Sequence, residues 1–99
     1  MNPRILTVVS ATVDAGRESE LLAGFHSLIG APVPDGLLRT QLLRGDGGDW
    51  QIPSLWIDRD ALDRMRASSE PPAAPRLFRS VGADPSLRIL EVTVEHGSS

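Results

Sequence analysis

The sequence predicts an α+β fold of the ferredoxin-like type, a split βαβ sandwich in the element order βαββαβ. Three observations predict this class: a β-branched run near the start, helical apolar spacing in two segments, and a glycine-rich turn between the two middle strands. Right-handed crossovers in two βαβ units then place the helices on one face of a four-stranded antiparallel sheet.

The first strand and helix follow from residues 5–30. Residues 5–13, "ILTVVSATV", are rich in β-branched side chains without Gly or Pro, which predicts a strand covered on both faces. Asp14 is expected to cap the next helix with its side chain. The apolar residues of that helix form one face: Leu21, Leu22, Phe25, Leu28 and Ile29. Gly30 and the prolines beyond it end the helix.

The middle of the chain predicts a hairpin. Residues 36–45, "GLLRTQLLRG", and 50–57, "WQIPSLWI", are joined by "DGGD", whose glycines accept positive φ. Pro53 cannot donate a backbone hydrogen bond to a neighbouring strand, so we expect it at a sheet edge or a bulge. Because side chains alternate across a strand, one face carries Trp50, Ile52, Ser54 and Trp56.

The last third of the chain predicts a second helix and a final strand. Asp58 is a suitable N-cap for a helix with Ala61, Leu62 and Met65 at helical spacing. The segment 68–75, "SSEPPAAP", ends this helix, and a short helical turn is expected over 76–82. Residues 86–96 predict the last strand.

Length and composition limit the function classes. The 99 residues predict one domain over 1–99, with a core from about 5 to 96 and a frayed tail at 97–99. The net charge is −3 and all ten basic residues are Arg, so we expect no nucleic-acid partner. The absence of Cys and the presence of two His predict no metal site. No apolar run can span a bilayer and no signal pattern opens the chain, so we expect no membrane partner and a cytoplasmic location.

The sheet face opposite the helices is expected to need a cover. The last strand contributes "RILEVTV" to the sheet, and parts of this run are too apolar for a face in water. A chain this short buries only about 60–70% of the surface that its unfolded form exposes. We therefore expect a homodimer that forms through the sheet face.

Two segments of the chain resemble a known family. "PRILTVVSATVDAGRESELLAGFHSLI" and "SLWIDRDALDRMRASSE", with a hairpin between them, resemble the antibiotic biosynthesis monooxygenases, which are small dimeric α/β-barrel proteins. The resemblance covers the chain from about Ile5 to His96. Its local mark is a Trp at the end of a strand, followed by an acidic residue and Ala that open a helix, here "WIDRDA" at 56–61.

This resemblance implies several activities. The family includes cofactor-independent monooxygenases that convert polycyclic aromatic phenols into quinones, haem-degrading enzymes and polyketide cyclases. The monooxygenase pattern implies that Trp56 orients the substrate and that Arg76 or Arg79 stabilises its anion. That pattern also has an Asn four residues before the Trp, where this chain has Ile52. The haem-degrading pattern needs a late axial His, and no His occurs between residues 27 and 95, so we expect no haem and no other cofactor.

The candidate catalytic residues are His26, Trp56, Arg76 and Arg79. His26 borders the apolar face of the first helix, and an imidazole titrates near neutral pH, as a general base should. Arg76 and Arg79 follow the proline-rich break, where a guanidinium can stabilise an anionic substrate by charge and bidentate hydrogen bonds.

The candidate substrate-binding residues are Trp50, Ile52, Ser54 and Trp56 on one strand, and Ser10 and Thr12 on another. The two tryptophans can form an aromatic wall in which an indole N–H orients a substrate oxygen, or they can fill the core. The hydroxyls can orient a ligand in a mostly apolar cavity, or they can bond locally.

The residues and the resemblance together predict a cofactor-independent monooxygenase that oxidises a small polycyclic aromatic phenol to a quinone in secondary metabolism. Two alternatives stay open: a non-catalytic ligand-binding or accessory dimer of the same fold, and a polyketide cyclase. The expected ligand is a small hydrophobic aromatic molecule, or, for the cyclase, a poly-β-ketone that the pocket folds without O₂.

Overall fold

The structure, a computed structural model, describes residues 2–68 and 72–97. Its strands are β1 (Ile5–Thr12), β2 (Leu37–Thr40), β3 (Leu43–Arg44), β4 (Asp49–Trp56) and β5 (Ser86–Glu91). Its α-helices are α1 (Glu18–Gly30), α2 (Arg59–Arg66) and α3 (Ala73–Ser80). Most of the predicted frayed tail, and the centre of the proline-rich break at 69–71, lie outside the described residues.

The strands form one antiparallel sheet in the order β2-β4-β1-β5, which confirms the predicted α+β ferredoxin-like sandwich. The sheet has five strands rather than four, because the predicted second strand is divided into β2 and β3, which both pair with β4. The division lies beside Pro53. Its carbonyl accepts a hydrogen bond from the Gln41 N–H at 3.1 Å, but its nitrogen on the same side has no hydrogen to donate.

Burial alternates along the two central strands. Ile5, Thr7, Val9 and Ala11 of β1 are buried, and their register partners on β4 are buried too: Trp56, Ser54, Ile52 and Trp50. The intervening residues Leu6, Val8, Pro53 and Leu55 are only half-buried. The helices therefore cover one face of the sheet, as predicted. Within one chain the other face is uncovered, which corrects the expectation of a first strand covered on both faces.

The core has two parts, each with one of the tryptophans. Trp50 belongs to the larger cluster, whose buried members are Val9, Ala11, Val13, Leu21, Phe25, Trp50, Ile52, Leu77, Phe78 and Val81. Trp56 belongs to the smaller cluster with Ile5, Ala61 and Leu62. The two indoles share a face of β4, as the alternation predicts, but they pack into different clusters.

Helix starts and ends differ in part from the predictions. The Asp58 carboxylate accepts a hydrogen bond from the Ala61 N–H at 2.9 Å, which confirms it as the N-cap of α2. Asp14 makes no such bond, because a 3₁₀ turn over Ala15–Arg17 separates it from α1. Helix α3 begins earlier than predicted, since Pro75 lies in its first turn, where no backbone N–H is needed. Strand β5 ends at Glu91 rather than at residue 96.

Two turns use glycine in the left-handed region. Gly47 (φ 68°) and Gly48 (φ 82°) form the turn before β4, as predicted. Gly36 (φ 86°) precedes β2, and its carbonyl accepts a hydrogen bond from the Ile57 N–H at 2.8 Å. A side chain at Gly36 would collide with the Cβ of Ala61, so this glycine lets the start of β2 approach α2. No helix in the described ranges is long and apolar enough to cross a membrane.

Candidate functional site

A cavity of about 740 Å³ lies between the sheet and the helices and opens to solvent. Its volume is within the usual range of small-molecule sites. Its floor consists of sheet residues: Thr7, Val9, Leu37, Thr40, Ile52, Ser54, Trp56 and Leu87. Its walls come from α1, the 31–34 connection, α2 and α3, including Gly24, Ser27, Leu28, Leu62, Met65, Arg66, Arg76, Leu77 and Ser80. Apolar side chains from both core clusters therefore enclose a space with few polar groups.

Trp56 forms part of the cavity floor with its ring, while its polar atom is already bonded. The indole N–H donates to the Thr7 hydroxyl at 3.1 Å, and Trp56 is only 4% exposed. The Thr7 hydroxyl in turn donates to the Ser54 carbonyl at 3.4 Å. The register Thr7↔Ser54 brings these groups together from two strands that are far apart in sequence.

A second pair of hydroxyls lies beside this chain of bonds. Thr40 and Ser54 are register partners in β2 and β4, and their side-chain oxygens are 2.9 Å apart. Either hydroxyl can donate to the other. Ser54 is 8% exposed, and the apolar residues Val9, Leu37 and Ile52 line the same floor. The floor thus combines an aromatic ring with a small number of hydroxyl groups.

The charged residues of the described lining are Arg66 on α2 and Arg76 on α3. Both residues are exposed, and neither guanidinium forms an ion pair with a described residue. No carboxylate is among the lining residues in the described ranges. The charged residues described at the helix side of the cavity are therefore both cationic, which favours a ligand with an anionic or strongly polarised oxygen.

The structure places several predicted site residues inside the cavity and others away from it. Ile52, Ser54, Trp56 and Arg76 line it. Arg79 is exposed near the end of α3 and is not a lining residue, although it is only one turn from Arg76.

His26, predicted as a general base at the border of the apolar face of α1, is also outside the cavity. It is exposed on α1, two positions from each of the lining residues Gly24 and Leu28. That spacing puts it about 160° around the helix axis from both. Leu22 and Ile29, which shared the predicted apolar face, are about 40% exposed as well, so the buried stripe of α1 is narrower than predicted.

Ser10 and Thr12 project from the opposite face of the sheet, because their register partners are Gln51 and Asp49 rather than the buried residues of β4. Neither residue lines the cavity, which differs from the prediction that their hydroxyls orient a ligand there. Trp50 is buried in the larger cluster and does not line the cavity. Its N–H has no hydrogen-bond partner among the described residues, and the Arg44 guanidinium lies 4.8 Å from its ring centroid. Trp50 therefore acts as a core residue with a cation–π contact.

Thr7, Arg66 and Thr40 line the cavity but are not among the predicted site residues, and the first two have a signal in the sequence. Thr7 shares the strand face of the buried residues Ile5 and Val9. Arg66 is four residues after Leu62 and so lies on the same side of α2. Thr40 has no local signal, because only the register of the hairpin places it beside Ser54.

The lining does not match a haem site held by an axial histidine. Both His residues are exposed and neither contributes to the cavity. Across the described ranges, no group of three or more His, Cys, Asp or Glu side chains could hold a metal ion. The residues in the described ranges therefore do not fit a histidine-ligated haem or a metal centre.

No family model and no curated protein matches the sequence. Solved structures share its fold. A heme-degrading protein from Mycobacterium tuberculosis, in its heme-free cleaved form, is 24% identical with a TM-score of 0.71, and the match covers 99% of this chain and 100% of that one. SnoaB, a cofactor-independent oxygenase from Streptomyces nogalater, is 20% identical with a TM-score of 0.63 and 96% coverage of both chains.

A third similar structure comes from Caulobacter crescentus, a protein provisionally assigned as an antibiotic biosynthesis monooxygenase. It is 20% identical with a TM-score of 0.71, and the match covers 95% of this chain and 92% of that one. At these identities the likeness establishes the fold. It agrees with the sequence resemblance described above, and it leaves the reaction to be argued from the cavity.

Proposed function

We propose that the protein binds a small, flat, oxygen-bearing aromatic molecule in the cavity and oxidises it with O₂, as a cofactor-independent monooxygenase. The observation that carries the proposal is the composition of the cavity. The floor includes the Trp56 ring and hydroxyl groups among apolar residues, and the helix side includes Arg66 and Arg76 with no carboxylate in the described lining. A flat phenol matches both surfaces, since its ring packs on the indole and its anionic oxygen is attracted to the arginines.

The proposed chemistry needs few protein groups. Arg66 or Arg76 lowers the pKa of the bound phenol or its keto tautomer by stabilising the anion. The proton leaves to water at the open mouth, because no imidazole or carboxylate lines the described cavity. The carbanion transfers electrons to O₂ and a C–O bond forms. A CH₂ carbon then becomes C=O, and the second oxygen atom leaves as water with the two hydrogens. The fold shared with SnoaB supports this reaction.

The second candidate function is non-catalytic binding of the same ligand. A specific observation favours it: Ile52 lies on the floor where the monooxygenase pattern has Asn, and its side chain cannot polarise a substrate oxygen. The exposed position of His26 also removes the nearest general base.

One experiment separates the two candidates. In a Trp50→Phe background, Trp56 is the remaining tryptophan, so quenching of its fluorescence by anthrone under anaerobic conditions reports cavity binding. Air is then admitted, and O₂ uptake and anthraquinone formation are followed against heat-denatured protein. Quinone formation above that blank supports the monooxygenase, whereas binding without turnover supports the second candidate. The absence of quenching contradicts both.

We also propose that the protein is a homodimer formed through the uncovered sheet face. Leu6, Val8, Pro53 and Leu55 lie at the centre of that face and are only half-buried within one chain. Leu90, the β5 partner of Leu6, adds a side chain that is 37% exposed. Association of two such faces would remove these apolar side chains from water.

A further inference from the structure

We propose that the Thr40–Ser54 hydroxyl pair, and not the Trp56 indole, is the hydrogen-bond donor on the floor of the cavity, and that it selects ligands with a carbonyl oxygen. This inference rests on the proposed binding of an aromatic ligand in the cavity. It assigns to two residues a role in specificity that differs from the expected one, in which an indole N–H orients the ligand.

The Trp56 N–H already donates a hydrogen bond within the protein. An indole has one N–H, and that of Trp56 donates to Thr7 at 3.1 Å. Thr7 has one hydroxyl hydrogen, which it donates to the Ser54 carbonyl at 3.4 Å. Binding a ligand oxygen through either group would therefore require breaking a bond in a buried part of the floor, where Thr7 is 6% exposed.

The neighbouring Thr40–Ser54 pair has one hydroxyl hydrogen more than its mutual hydrogen bond uses. Thr40 and Ser54 have one hydroxyl hydrogen each, and the contact of 2.9 Å between their oxygens uses one of them. The other hydrogen has no acceptor among the described residues, whichever hydroxyl is the donor. One O–H is thus left for an acceptor in the cavity.

The surroundings of that O–H favour a carbonyl oxygen as its acceptor. Ser54 is 8% exposed and lies between Ile52 and Trp56 on the face of β4 that forms the floor. Its register partner on β1 is Thr7, whose hydroxyl hydrogen is already donated to the Ser54 carbonyl, and the apolar residues Val9 and Leu37 also line the floor. A hydrogen bond to this donor is most favourable when the rest of the ligand is apolar and packs on the surrounding residues. An aromatic ketone combines such a ring system with a carbonyl acceptor.

The test compares two ligands that differ in their carbonyl oxygens. Anthraquinone-2-carboxylate and anthracene-2-carboxylate have similar ring systems and the same anionic group, and calorimetry gives the affinity of each. We expect the protein to prefer the quinone. The double variant Thr40→Val/Ser54→Ala should lose about three- to tenfold in affinity for the quinone and keep its affinity for anthracene-2-carboxylate within about twofold.

The matched control is Ser86→Ala, the same serine change at an exposed residue on the opposite sheet face. It should leave the affinities for both ligands unchanged. A second measurement needs no variant: the infrared carbonyl stretch of the bound quinone should move to lower frequency than that of the quinone in an apolar solvent.

The outcomes separate this inference from the proposed function. If both ligands bind, the preference survives in the double variant and the carbonyl stretch is unshifted, the hydroxyl pair is not the donor, although the cavity is still a ligand site. If neither ligand binds to the unchanged protein, the proposed function fails and this inference fails with it.

Discussion

Trp56 and Thr7 are joined by a hydrogen bond in which the indole N–H donates to the threonine hydroxyl at 3.1 Å. The bond crosses from β4 to β1 and fixes the orientation of the ring that forms part of the cavity floor. It also provides the buried Trp56 N–H with an acceptor. The N–H of Trp50, on the same strand face, has no acceptor among the described residues. The two tryptophans are thus distinguished by their partners and not by their sequence context.

Replacing Thr7 should show how much this hydrogen bond contributes to the free energy of unfolding. Thr7→Val keeps the shape of the side chain but leaves the Trp56 N–H without an acceptor, so the free energy of unfolding should fall by about 1–3 kcal/mol. Thr7→Ser keeps the hydroxyl and should cost about 1 kcal/mol or less. Urea denaturation measures both values. Equal losses in the two variants would show that the bond contributes nothing.

The two tryptophans should differ in their effect on ligand affinity. Trp56→Phe shrinks the aromatic surface in the cavity, and affinity for anthraquinone-2-carboxylate should fall about three- to tenfold. Trp50→Phe changes a core residue outside the cavity, so it should lower stability while affinity stays within about twofold. Calorimetry measures the affinities. A larger loss in Trp50→Phe than in Trp56→Phe would contradict the placement of the site.

Arg66 and Arg76 should contribute to ligand affinity through their positive charge. Arg66→Gln and Arg76→Gln should each weaken binding of anthraquinone-2-carboxylate about two- to fivefold, because both guanidiniums are exposed and water screens their attraction. The effect should shrink as salt rises. Arg64→Gln, on α2 but outside the lining, is the control. If Arg79→Gln lowers the affinity for this ligand as much as Arg76→Gln does, Arg79 also contributes to the binding site.

The homodimer is testable by light scattering. At micromolar concentration the unchanged protein should show about twice the monomer mass, because the apolar sheet face is covered by a second copy. Leu55→Glu puts a charge on that face and should yield the monomer. Leu22→Glu makes the same change on the exposed side of α1, and the mass should stay that of the dimer. A monomeric unchanged protein would contradict the proposal.

Gly36 should tolerate no side chain. Its positive φ and its contact with Ala61 predict that Gly36→Ala lowers the free energy of unfolding by more than about 1 kcal/mol. Gly30→Ala is the matched control, since a Cβ there meets nothing within 4 Å. Thermal denaturation compares the two variants. If they are equally stable, the close approach of β2 to α2 is not required.

Local patterns were sufficient for most elements of the fold. The β-branched run predicted β1, the glycines before Trp50 predicted the hairpin turn, and Asp58 predicted the start of α2. These signals depend on neighbouring residues in the chain, so a single sequence contains them. Asp14 shows where such a signal fails: its side chain suits a cap, but the backbone forms a 3₁₀ turn first.

The site was predictable only where a residue's face was predictable. Alternation along β4 is local, so it predicts the face that Trp56, Ser54 and Ile52 share, and all three line the cavity. The hydroxyls of Ser10 and Thr12 are predicted in the same cavity, but alternation along β1 cannot say which of its two faces matches that of β4. The pairing of Ile5 with Trp56 decides it, and a shift by one residue would have reversed the answer.

By itself, the sequence determined the order of elements, the ferredoxin-like class and the face shared by Trp50 and Trp56. Only the tertiary structure decided that Trp56 lines the cavity while Trp50 fills the core, that Thr7 occupies the indole N–H, and that Thr40 lies beside Ser54. The physical reason is that hydrogen bonds and cavities form between strands and helices far apart in the chain. Their partners are set by register and packing, which no local pattern contains.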